Sequence, residues 1–93
     1  MKAMELHEIR FVVKSQIANA IYDAKFNIGR AWVDGKISDQ QQEMIDRDLS
    51  NILSIATVAI NNCESSEEID EIVYQFEFCM KDYIARHNLP CKF

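Results

Sequence analysis

The sequence predicts an all-α domain: a three-helix up-down-up antiparallel bundle with a long first helix that self-associates. Three observations lead there. Two glycines and one proline in 93 residues leave long stretches without a helix breaker. Apolar residues recur every three to four positions through three segments, which is the helical period. Two serines stand three residues ahead of a Gln or Glu, Ser38 before Gln41 and Ser65 before Glu68. That is the capping-box signature of a helix start. Ninety-three residues suit one domain, 1–93, with a modest core.

The first helix is expected over about residues 4–33 and carries two apolar faces on the helical wheel. One is aliphatic: Leu6, Ile9, Val13, Ile17, Ala20, Ala24, Ile28 and Ala31. The second lies about 150° away and is largely aromatic: Phe11, Ala18, Tyr22, Phe26, Gly29 and Val33. Glu5, Gln16, Asn19 and Asp23 separate the faces on one side, and His7, Lys14 and Lys25 on the other. A bundle monomer needs one wide face, so the aromatic one calls for a cover. That cover is the same chain, a second copy meeting it around a two-fold axis, or another protein. Trp32, at the helix end between the two faces, is expected to anchor packing, although tryptophan also concentrates at binding hot spots.

Asp34-Gly35 signals the first turn. The second helix, about 39–62, is one-sided: Ile45, Leu49, Ile52, Leu53, Ala56, Ala59 and Ile60 share a face opposite Asp46, Arg47, Ser50, Ser54 and Asn61. The third, about 66–88, has a core stripe of Ile69, Ile72, Val73, Phe76, Cys79, Met80, Tyr83 and Ile84, and Leu89-Pro90 stops it ahead of a short tail, 89–93. Tyr74 and Phe78 lie opposite that stripe among Glu67, Asp70, Glu71, Glu77 and Asp82. This acidic-aromatic patch complements the lysines beside the aromatic face of the first helix. Short connections make successive helices antiparallel.

The net charge of −5 is uneven. Residues 1–36 hold six Lys/Arg against four Asp/Glu, a net of +2, and residues 37–93 hold four against eleven, a net of −7. A nucleic-acid binder normally shows a basic footprint. The rival reading, a nucleic-acid-associated regulator, would rest on Arg10, Lys14 and Lys25. The acid run 64–71 is explained by the helix macrodipole, which favours carboxylates near an N-terminus. Three cysteines without paired spacing suit a reducing, cytoplasmic setting. Cys79 is expected in the core, and Cys63 and Cys91 as free thiols. No apolar run is long enough for a leader or a membrane span.

No local motif for chemistry stands out. Asp34-Gly35-Lys36-Ile37-Ser38 has the glycine and isoleucine spacing of the middle of a calcium loop. The first and twelfth positions would then be Arg30 and Gln41, which cannot supply the charge or the bidentate carboxylate. His87 and Cys91 are interrupted by Pro90, and no second Cys/His pair completes a zinc set. No phosphate loop is present. A catalytic site assembled only in space would need a concave pocket of perturbed groups. The expected function is therefore a small acidic, non-catalytic, cofactor-free protein–protein interaction module. Its size and charge suit a stoichiometric inhibitor or antitoxin-like regulator, including those carried by phages and plasmids. It would form a homodimer and dock on a basic protein surface, with no membrane partner. The site residues expected to do so are Phe11, Tyr22, Phe26, Trp32, Lys14 and Lys25 on the first helix. On the third they are Tyr74, Phe78, Glu67, Asp70, Glu71 and Glu77.

Overall fold

The computed structural model describes residues 4–91. Among them it contains three helices and no strand: α1 (Leu6–Val33), α2 (Asp39–Asn61) and α3 (Ser66–Arg86). The helices pack as a bundle, and the body is elongated, 49 × 22 × 18 Å. Its long axis follows from α1, whose 28 residues extend about 42 Å at 1.5 Å per residue. Residues 92 and 93 of the expected tail lie outside the described residues.

Local chemistry explains four of the six helix ends. α1 ends in a Schellman motif: Gly35 takes φ +77°, its N–H reaches the Trp32 carbonyl, and Lys36 N–H reaches that of Ala31. Only glycine adopts that backbone conformation without strain. Ser38 then caps α2 with the full reciprocal box, its Oγ accepting from Gln41 N–H while the Gln41 side chain accepts from Ser38 N–H. Ser65 caps α3 by accepting from Glu68 N–H, but the Glu68 carboxylate reaches one residue further back, to Glu64 N–H. α3 ends at Arg86, earlier than the proline implies. Asn88 adopts a left-handed φ of 51° and builds a second Schellman motif, Asn88 N–H to Ala85 and Leu89 N–H to Ile84.

The core joins Ile17, Ile21, Ala24 and Ile28 of α1 to Ile45, Leu49, Ala56 and Ile60 of α2 and to Phe76 and Met80 of α3. Each fully buried aliphatic side chain contributes about 1.5–3 kcal/mol of transfer free energy. Ile21 is completely buried although it lies between the two predicted faces of α1. Its sector of the helix turns toward α2.

Polar contacts join α1 to α2 along the whole seam. Arg10 donates to the Cys63 carbonyl from both Nε and Nη2. Lys14 Nζ donates to Asn61 Oδ1 at 2.7 Å, and Lys25 Nζ to Ser50 Oγ at 2.5 Å with Asp46 at 3.5 Å. Trp32 Nε1 donates to Asp39 Oδ1 at 2.6 Å. As α1 numbers rise, the α2 numbers they meet fall.

One thiol sits elsewhere than expected. Cys79 is exposed rather than in the core. It stands on the wall of an apolar groove between α2 and α3, with Ile52, Ile55, Ala59 and Ile72. The groove arises because α3 does not close fully on α2 along that edge. Cys63 is buried, and its S–H donates to the Ala59 carbonyl. Burial pushes its thiol pKa up, helped by the Glu68 carboxylate and opposed by the Arg10 guanidinium.

Candidate interaction surface

The core residues of α1 fix which way its other residues point. With Ile17, Ala24 and Ile28 inside, the opposite side of the helix faces solvent. Phe11, Tyr22 and Phe26 are therefore 68%, 59% and 65% exposed, and Val33 is 77% exposed. Among the described residues these side chains stay largely open to solvent. Ala18 and Gly29 lie between them on the same strip, half-buried. The Arg30 guanidinium stands over the Phe26 ring, 6.0 Å from its centroid, at the outer limit of a cation–π contact. Phe26, Gly29, Arg30 and Val33 form one side of a shallow hollow that Trp32 and Gln42 complete.

Lys14 and Lys25 do not border this strip as free cations. Both turn toward α2, onto Asn61 and onto Ser50 with Asp46. Arg10 likewise lies against the Cys63 carbonyl. The three cations that a nucleic-acid-binding strip would need are thus occupied within the chain. Trp32 remains 43% exposed, anchored through its indole N–H to Asp39.

On α3, Ile69, Phe76 and Met80 go inward, which leaves Tyr74 and Phe78 on the outside at 67% and 66% exposure. Glu67, Asp70, Glu71 and Glu77 are all exposed around them, with Gln75 bonded to Glu71 at 3.1 Å. The α1 strip and the α3 patch do not cover one another within the chain, since the aromatics of both stay open to solvent. α2 adds two exposed apolar residues beside its groove edge, Ile55 at 71% and Val58 at 57%. They fall outside the α2 core stripe, and their spacing alone carried no signal.

Among the described residues no polar or charged side chain is fully buried. Glu5, His7 and Glu8 at the start of α1 bring three metal-capable atoms within 4.8 Å, all exposed. His7 Nδ1 lies 3.4 Å from Glu5. Tyr83 packs its ring against His87, centroids 4.3 Å apart, and donates its hydroxyl to Asp48 at 2.7 Å. Burial and the Asp48 carboxylate push the Tyr83 phenol pKa well above its ordinary value, so the group stays a donor. No helix among the described residues is long and apolar enough to cross a membrane. No known protein family, curated protein or solved structure matches the chain.

Proposed function

We propose that this chain is a non-catalytic protein–protein interaction module of the cytoplasm, an up-down-up bundle that forms a homodimer and regulates a basic partner protein by occupying its surface. The observation that carries the reading is the exposure of Phe11, Tyr22 and Phe26 on α1 together with Tyr74 and Phe78 on α3. Apolar aromatic surface of this extent, on a chain this small, is characteristic of interaction sites. The opposed numbering of the α1–α2 contacts, and Tyr83 of α3 meeting Asp48 of α2, support the antiparallel order. The α3 patch suits a partner with a basic surface, because four exposed carboxylates ring its two aromatics.

Light scattering coupled to size exclusion tests the assembly. The full chain at tens of micromolar is expected to run above its monomer mass of 10.8 kDa, and a monomer would overturn the homodimer. Phe26→Asp should give a helical, folded monomer, because the ring lies outside the core. Capture from the native host tests the regulator. The wild-type chain should retain a basic protein that a Tyr74→Ser/Phe78→Ser variant releases. Equal retention by both would overturn the role of α3.

A further inference from the structure

Gly29 lies inside α1, four residues before its end. A glycine within a helix costs about 1 kcal/mol relative to alanine, and nothing among the described residues requires it. A Cβ placed there would meet no atom within 4 Å beyond its own stretch of helix, and the left-handed glycine conformation occurs at Gly35 instead. The absent side chain leaves room on the outer surface of the helix, beside the exposed Phe26 and Val33.

Along this outer strip large and small residues are interleaved three to four positions apart: Phe11, Ser15, Ala18, Tyr22, Phe26, Gly29 and Val33. The geometry points to a second copy of this chain as the occupant, with the two α1 helices packed antiparallel about a two-fold axis near residue 20. This rests on the proposed self-association and specifies its interface. In that register Phe11 of each copy lies over Gly29 of the other, Tyr22 over Ala18, and Phe26 within one residue of Ser15. All three rings meet small residues, as interdigitated helix packing requires.

Charge and area agree with the register. Glu8 and Arg30 are both exposed and flank the strip on the same side, and the two-fold brings each within a turn of the other on the second copy. Two opposite-charge pairs result. At about 200 Å² per aromatic side chain, the three rings leave roughly 400 Å² open on each copy. Burying these with their neighbours from both copies removes about 1,000 Å² in total, the lower bound of a specific interface. Pairing α1 with the α3 patch of a second copy is less favoured, because Lys14 and Lys25 already face α2.

Sedimentation equilibrium of the full chain decides the matter with three variants. Gly29→Leu projects into open solvent in the single chain, so helicity and thermal midpoint should hold or rise while dimerisation weakens at least tenfold. Glu8→Arg and Arg30→Glu should each weaken the dimer several-fold, and the double exchange should restore it. A dimer that Gly29→Leu leaves intact would overturn this seam while leaving self-association standing. A wild-type monomer would overturn both.

Discussion

The Tyr83 hydroxyl donates to the Asp48 carboxylate across 2.7 Å, tying the last turns of α3 to the first half of α2. Removing the donor with Tyr83→Phe should destabilise the chain by about 1–2 kcal/mol, since a hydrogen bond to a charged acceptor is lost. Denaturant titration measures it. The pair also predicts a pH dependence. The phenol pKa is raised in the folded chain above the ordinary value of 10, so the unfolded state releases its proton first. This contribution is therefore fully present below pH 10 and is lost as the pH rises above it. Above about pH 10 the midpoint of the wild-type chain should fall more steeply than that of Tyr83→Phe.

Arg10 satisfies the Cys63 carbonyl just beyond the end of α2. No basic residue lies in the last turn of α2 itself, so a residue of α1 supplies the cation that a helix C-terminus favours. Arg10→Ala should cost about 1–2 kcal/mol, and hydrogen exchange should quicken first in the final turn of α2. Unchanged exchange there would show the contact to be inert.

The cysteines should separate by reactivity. Cys79 is exposed, Cys91 is half-buried with its thiol pKa raised by burial, and Cys63 is buried with a raised pKa. A thiol reagent at neutral pH should modify Cys79 first and Cys63 last, the latter at a rate set by opening of the fold. Mass spectrometry of quenched samples gives the order, and early modification of Cys63 would contradict its burial.

The two helix C-termini make a matched pair. Gly35→Ala forces a β-carbon into φ +77° and should cost about 1 kcal/mol. Asn88→Gly relieves the same conformation at φ 51° and should gain up to about 1 kcal/mol. Opposite shifts in thermal midpoint are expected.

The helices, both serine caps and the turn at Gly35 were legible in the sequence, because each depends on residues within four positions of one another. Helix ends were less so. The apolar spacing starts α1 at Met4, whereas the helix begins at Leu6, and Asn88 rather than Leu89-Pro90 sets the end of α3. A left-handed asparagine leaves no periodic trace. The second face of α1 was also legible, since Phe11, Tyr22 and Phe26 follow from spacing alone.

Neighbours decided the rest. Which sector of α1 is covered depends on where α2 lies, so Ile21 is buried despite falling between the two stripes. Cys79 shares its stripe with Met80, yet the gap between α2 and α3 leaves one exposed and the other wholly buried. Lys14 and Lys25 read as a charged border awaiting a partner until α2 supplied Asn61, Ser50 and Asp46. By itself the sequence determined three amphipathic helices and the presence of a surplus aromatic face, because periodicity is a local property of the chain. Only the tertiary structure decided that this face stays open and that its flanking cations are taken, because burial and the polar contacts of those cations depend on residues 21 to 53 positions apart.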